Sequence, residues 1–451
     1  MGSAAQTLMP LSDAPVLITS SPAGRICSMR YEDRLLRGGS KLPKRISSIY
    51  ARAISLSTVI ILAMAAFACS AQTGVPAQAK VEFYSEAPAP MIEANAAILE
   101  DAATGQVLFS MNPDERLAPA SITKVMTMLI VMEHAQEGKV SLDDTVVVSR
   151  EASLMGGSQV YLKEKEEVPI RELLAATAIR SANDASYALA EAIAGSADAF
   201  VELMNARAAE LGMSNTHFAN PEGLDDPGHY TTARDIAIMS RELLKHPEIL
   251  ELTSTWIGKM RGGTYDLFNT NRLIKVYEGA DGLKTGQTDT AGWCLVGTAV
   301  RGETRLLSVV LGAASDEKRV GETSKLLDYG FQKFERTRFL DAGAPVGTIR
   351  VLSAARQDVT AVAAEDLVLL CPRGFSSETE VHFEPLGQEL SAPIKKGQPL
   401  GRAVAVMPSG EELGSTLAVA ESDVPRANAV VRAWRAVVRF FAELFGGRTR
   451  A

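Results

Sequence analysis

The sequence predicts an α+β domain, then a small all-β domain and a C-terminal amphipathic helix. Within residues 80–341, strand-like runs stand at both ends and helical periodicity fills the middle. Residues 342–423 are short Val- and Leu-rich runs broken by Gly, Pro and Asp, the texture of a small β domain. In residues 424–451 the apolar side chains Val430, Val431, Trp434, Val437, Val438, Phe441, Leu444 and Phe445 recur at three- and four-residue steps. At about 100° per residue that spacing gathers them on one arc of a helix, with Arg432, Arg435, Arg439 and Glu443 opposite.

Residues 1–79 read as an extension and an export leader. The basic stretch "KLPKRISSIYARA" precedes the apolar run "ISLSTVIILAMAAFACSA", and small residues at Ala68, Ala71 and Ala79 offer cleavage sites. The run approaches spanning length, so an uncleaved anchor is the competing reading. Residues 1–40 carry no clear periodicity, and initiation at Met29 would account for them. Next, "AAILEDAATGQVLFSMNPDE" places two apolar runs around Thr104-Gly105, a hairpin signal. The following "SITKVMTMLIVMEHAQEG" is apolar on nearly every side, as a buried helix is. Helical patterns continue to about Leu250, including "IRELLAATAIRS" and "ASYALAEAIAG". Strands return at "GWCLVGTAV" and "TRLLSVVLGAA", joined by "RGE", and "EKRVGETSKLLDYGFQKFE" closes with helical spacing.

Composition narrows the function. The chain has 451 residues, 46% hydrophobic and 22% charged, with net charge -8, so no nucleic-acid partner is expected. Beyond the leader only Cys294 and Cys371 remain; they fall in different domains and are expected as two buried thiols. The five His are scattered without an H-E-x-x-H, no G-x-S-x-G occurs, and no phosphate loop precedes "KTG". Zinc peptidases, α/β-hydrolases and P-loop enzymes are therefore unsupported.

The candidate chemistry begins at "APASITKVMTML". Ser121 opens the buried helix, where a serine is commonly a cap. Lys124, one turn on, shares its face and reaches its hydroxyl. An amine in a dry apolar helix loses proton affinity, so a neutral Lys124 can take the serine proton without a histidine. Two further stretches raise the pattern above a cap: Ser181-Ala182-Asn183 in "RSAND" and Lys284-Thr285-Gly286 in "DGLKTGQTDTAGWC". S-x-x-K, S-x-N and K-T-G in that order form the signature set of penicillin-recognising serine enzymes.

With these triplets, the segments "LAPASITKVMT", "GGSQVYLKEKEE", "FANPEGLDDPGHYTTARDIA", "FNTNRL" and "LLSVVLGAASDEKR" resemble the D-alanyl-D-alanine carboxypeptidases of peptidase family S11, the low-molecular-mass penicillin-binding proteins. The resemblance covers about residues 85–445 and implies a DD-peptidase-like catalytic domain. It implies that Ser121 attacks the carbonyl of the penultimate D-Ala and that Lys124 is its base. Ser181 would relay the proton to the leaving amine, and the Asn183 amide would hold both Lys124 and a substrate carbonyl. Lys284 and Thr285 would take the terminal carboxylate, and Gly286, lacking a side chain, would let substrate backbone lie close. The N–H groups of Ser121 and Gln287 would form the oxyanion hole; Gln287 stands where family members often carry His, Tyr or Phe. Arg319 matches an arginine near the carboxylate pocket, where a planar guanidinium suits a carboxylate, or it is a solvated helix-face residue. Arg272 is a weaker candidate of the same kind.

The implied function is removal of the terminal D-Ala from peptidoglycan pentapeptide stems through an acyl-enzyme, with β-lactams as inhibitors and no metal or organic cofactor. The alternatives are a class A-like β-lactamase and a non-hydrolytic penicillin-binding scaffold. Against the first, Glu222 in "NPEGLDDPGHY" has Asp226, not Asn, four residues on. With six Arg against one Glu, the segment 424–451 is expected to lie on an anionic membrane surface, holding the enzyme at the outer face of the cytoplasmic membrane. A helix packed on the β domain is the competing reading.

Overall fold

The computed structural model describes residues 89–351, 353–387 and 390–446, and side chains of the last helix as far as Val438. The expected leader lies outside the described residues. Strands β1 (Ala96–Asp101) and β2 (Val107–Met111) form the hairpin signalled by Thr104-Gly105, with Gly105 at φ 73° in the turn. Three more strands complete an antiparallel sheet: β3 (Ala280–Thr288), β4 (Gly292–Arg301) and β5 (Thr304–Ala313). The strand order is β2-β1-β5-β4-β3, so the K-T-G strand is an edge.

This sheet is covered on both faces, which is why β4 and β5 read as near-continuous apolar runs. Alternate residues serve different cores, as the pleat requires. Ala96 and Ile98 join Val309 and Leu311 under helices α1 (Lys124–Gln136), α2 (Asn183–Ala194) and α3 (Ala233–Leu243). Ala97 and Leu99 instead join Leu306 and Val310 against Leu326 and Leu327 of α4 (Asp316–Lys333). Every residue of α1 from Lys124 to Met132 is buried, as its all-round apolar pattern requires.

The second core runs on into the β-rich region through Leu367, Leu369, Met407 and Leu413. Strand β6 (Phe334–Leu340) follows α4 directly and pairs antiparallel with β9 (Leu367–Pro372). Buried Gln106 joins the two regions twice over: its amide donates to Leu370 O at 2.7 Å and accepts from Leu370 N at 2.9 Å. The remaining strands are β7 (Pro345–Arg350), β8 (Asp358–Ala363), β10 (Glu380–Pro385), β11 (Pro399–Val406) and β12 (Glu412–Ala420). They form a sheet of order β7-β8-β12-β11-β10 around its own small core. Cys294 on β4 and Cys371 on β9 are free and buried, as expected.

Val424 pairs with Ile394 and, like Ala427, is buried, so the β domain keeps its hold to that point. Helix α5 (Ala429–Gly446) then begins, with Asn428 Oδ1 accepting from Val431 N at 2.9 Å. Arg435 donates to the carbonyls of Ala354 and Ala355 at 2.6 and 3.0 Å, while Val430, Trp434, Val437 and Val438 are exposed. No helix of the described residues is long and apolar enough to cross a membrane.

Candidate active site

Ser121 stands in a single 3-10 turn, Ala120–Thr123, wedged between Pro119 and the start of α1. The turn holds Ala120 at φ 49°, a conformation that a non-glycine residue keeps only when its surroundings impose it. Gly223, at φ 86°, supplies part of that constraint: a Cβ there would come within 1.9 Å of Ala120 O. Gly286 on β3 supplies another, since a Cβ there would meet Ala120 Cβ and Pro119 O at 3.1 Å. The missing side chain expected to make room for substrate thus also seats the strand on the serine turn. Thr123 Oγ1 donates to Ala120 O at 2.8 Å, so His229 Nε2, 2.9 Å away, donates to Thr123 Oγ1. Burial pushes His229 down to about 4, which leaves it a neutral, structural ring.

Lys124 Nζ is fully buried and has three oxygen neighbours: Ser121 Oγ at 3.0 Å, Asn183 Oδ1 at 2.7 Å and Glu222 O at 2.5 Å. In the neutral amine, two N–H groups serve Asn183 and Glu222 and the lone pair faces the serine hydroxyl. Burial lowers its proton affinity to about 7, against the opposing pull of Glu222 and Asp184. Asn183 is held in turn: its Nδ2 donates to Gly156 O at 2.7 Å and its N to Ser158 O at 2.6 Å. One amide oxygen and one amide N–H are therefore committed, leaving a single N–H for the substrate carbonyl assigned to it.

Ser181 owes its position to a break that periodicity did not signal. The stretch "IRELLAATAIRS" is not one helix: an α-helix over Ile170–Ala175 widens into a π turn over Ala176–Arg180. The turn ends with Ser181 itself in the left-handed region, φ 61° and ψ 34°. Such turns cluster at functional sites because they re-aim one side chain. Ser181 Oγ accepts from Lys284 Nζ at 2.7 Å, and the same amine donates to Thr285 O at 2.7 Å. Burial, with the charges of Lys124 and Arg319, drives the Lys284 amine well below the usual lysine range. Thr285 Oγ1 lies 2.6 Å from Thr270 Oγ1, and Gln287, next but one, is exposed on the edge strand.

Arg319 is not a solvated helix-face residue. It is 5% exposed, stacks 4.8 Å from the Trp293 ring, and donates to Gly286 O at 3.0 Å and Cys294 O at 3.2 Å. Its Nε and second terminal nitrogen both engage Asp316 Oδ1, one helical turn away. The fork expected to grip a carboxylate is thus closed on Asp316, and the residue braces β3 against β4. Arg272 is half exposed and pairs with Asp316 and Glu317 at 3.1 and 3.4 Å.

Three contributors were not singled out as site residues in the sequence. Asp184 accepts from Val160 N and Leu162 N at 3.0–3.2 Å, clamping the loop that carries Gly156 and Ser158. Thr270 orients Thr285, and Glu222 both holds Lys124 and carries a buried carboxyl. Asp184 directly follows S-x-N and Thr270 lies inside "FNTNRL", yet neither neighbourhood reveals what the side chain meets.

Residues 83–315 match the family model described as D-alanyl-D-alanine carboxypeptidase, peptidase S11. The chain belongs to the S11 D-alanyl-D-alanine carboxypeptidases. Residues 334–426 match the C-terminal domain of penicillin-binding protein 5, a domain not expected of a β-lactamase. The carboxypeptidase is 41% identical over 338 residues to D-alanyl-D-alanine carboxypeptidase DacF of Bacillus subtilis, covering 74% of this chain and 87% of that one. It is 36% identical to DacC of Escherichia coli, over 79% of this chain and 91% of that one. Among solved structures it is similar to penicillin-binding protein 5 from Haemophilus influenzae, with TM-score 0.70, 34% identity and coverage of 75% and 99%. It also resembles penicillin-binding protein D2 from Listeria monocytogenes in its ampicillin-bound form, with TM-score 0.50, 37% identity and coverage of 54% and 100%. This chain is a serine-type D-Ala-D-Ala carboxypeptidase of peptidoglycan maturation.

Proposed function

We propose that this carboxypeptidase works through an acyl-enzyme on Ser121, that penicillins trap the same ester, and that the enzyme acts at the outer face of the cytoplasmic membrane. The observation that carries the chemistry is the dry cage around Lys124, a base 3.0 Å from the serine hydroxyl with every other hydrogen accounted for. Ser121 Oγ bonds to the carbonyl carbon of the penultimate D-Ala as its proton passes to Lys124. The N–H groups of Ser121 and Gln287 receive the oxyanion, the second from an edge strand free to face a ligand. Collapse of the tetrahedral intermediate breaks the peptide bond, and the departing D-Ala amine takes, through Ser181, the proton that Lys124 had accepted. Lys284 and Thr285 meet the terminal carboxylate. Water then cleaves the ester, with Lys124 taking the water proton and returning it to the departing Ser121 Oγ.

The membrane reading rests on α5. Its Arg435 face is turned to the β domain while Val430, Trp434, Val437 and Val438 are left exposed, an apolar strip beside basic residues. Export, needed to reach the wall, is supported by the leader pattern of the sequence.

Mass spectrometry after incubation with penicillin and, separately, with a pentapeptide tests the chemistry. A penicilloyl adduct on Ser121 and release of D-Ala are expected. An adduct on another residue overturns the assignment.

A further inference from the structure

Two lysines are buried at this site, and only one has a carboxyl group for company. Lys284 lies among Ser181, Thr285 O, the Lys124 amine and the Arg319 guanidinium. Lys124 has Glu222, a residue 4% exposed, whose main-chain carbonyl holds the amine at 2.5 Å. Glu222 Oε2 is buried without a hydrogen-bond partner, a costly state for a carboxyl group unless some compensating charge is near.

We infer that Glu222 is a positioning residue for the acylation step, its side-chain carboxylate supplying the counter-charge for the ammonium that Lys124 becomes on taking the Ser121 proton. The inference rests on Ser121 and Lys124 acting as nucleophile and base. Above about pH 7 the resting amine is neutral, and every charge here is poorly solvated. When Ser121 Oγ bonds to the substrate carbonyl, its proton moves to Lys124 Nζ, and an ammonium appears at a fully buried position. Asn183 Oδ1 and Glu222 O give that ammonium dipoles, but only a carboxylate gives it a full opposite charge.

The charged and titratable groups around the pair are few. Lys124 itself is on α1, Asp184 and Tyr187 on α2, His229 beyond the Glu222 loop, and Lys284 on β3. Asp184 is engaged by the Val160 and Leu162 amides, His229 is neutral and Lys284 repels. Burial raises the Glu222 carboxyl and Lys124 pulls it back down, so each charge is most stable when the other is present. Glu222 also sits next to Gly223, whose contact with Ala120 fixes the serine turn, so the loop that shapes the nucleophile also tunes its base.

Replacing Glu222 by Gln keeps the main-chain carbonyl and the shape while removing the charge. The rate of acylation of the full chain by a fluorescent penicillin is measured from acid to alkaline pH for the wild type and Glu222→Gln. Without the carboxylate the Lys124 ammonium is less stable, so the acid limb moves to lower pH by about one unit or more. The alkaline plateau falls about tenfold or more, because the base is weaker. Glu222→Met, apolar and of similar length, should show the same shift; it serves if the Gln variant misfolds or bonds anew to Lys124. Limbs that superimpose, or move to higher pH, in a folded variant overturn the inference, even if the rate drops at every pH as a packing defect would make it. Failure of the acyl-enzyme reading looks different: the wild type would then carry no label on Ser121.

Discussion

The Ser181 hydroxyl and the Lys284 amine meet at 2.7 Å although 103 positions separate them in the chain. Lys124 reaches Ser121 and Asn183, while Lys284 reaches Ser181, two residues before Asn183. Each of the three triplets contributes a donor or acceptor to these contacts, so the loss of any one should be felt at the nucleophile.

Ser121→Ala should abolish penicillin labelling without unfolding the chain, because the hydroxyl is the group that bonds to the β-lactam and alanine fits the turn. Lys124→Ala should slow acylation by about 10²–10⁴-fold, the usual contribution of a positioned base. Labelling kinetics with a fluorescent penicillin read both. A Lys124→Ala enzyme acylating at the wild-type rate would remove Lys124 from the mechanism.

Acylation should fall with acid. Lys124 has its proton affinity lowered by burial to about 7, so the amine is neutral above that pH and charged below it. The rate should therefore hold a plateau on the alkaline side and drop about tenfold per pH unit once the amine is protonated. A rate independent of pH from 5 to 8 would contradict this.

Lys284 and Arg319 should separate. Lys284→Ala should cost about tenfold to hundredfold with a substrate bearing a free terminal carboxylate and much less with its amide, since a charged contact is lost. Arg319→Ala should impair both substrates alike, because the guanidinium ties Gly286 O to Cys294 O and is closed on Asp316. Comparing kcat/KM on the paired substrates decides it; an Arg319 loss confined to the carboxylate substrate would make that residue a direct reader.

Gly223→Ala should destabilise the protein by about 2–4 kcal/mol, as a left-handed backbone and a main-chain clash combine. Its φ of 86° and the 1.9 Å approach to Ala120 O leave no room for a methyl group. Thermal unfolding measures the loss. An unchanged Tm would show that the serine turn tolerates displacement.

Removing residues 428–451 should release an enzyme that still cleaves a small peptide, because Val424 and Ala427 stay buried in the β domain and Arg435 of α5 bonds to Ala354 and Ala355 of that domain. Flotation with anionic vesicles should carry the longer chain and leave the truncated one behind. Equal flotation of the two would reject the membrane role of α5.

The architecture was legible wherever burial writes itself into periodicity. The all-round apolar run after Ser121 is a buried helix, the Thr104-Gly105 turn is a hairpin, and the strands flanking "RGE" are neighbours in the sheet. Ser121 and Lys124 were legible as a pair because one helical turn is a local relationship.

What only the tertiary structure decided is which distant groups share a dry space. The sequence determined that Lys124 would be buried, but not that Asn183 and the Glu222 carbonyl would saturate its hydrogens. It contained Arg319 at a helix start, but not that its fork closes on Asp316 while its other arm spans two strands. Nor did helical periodicity hint that Ser181 leaves its helix through a π turn in the left-handed region, where its hydroxyl meets Lys284 from a distant strand. Local spacing sets which side chains share a face; desolvation and long-range hydrogen bonds, which set their chemistry, depend on every element that packs against them.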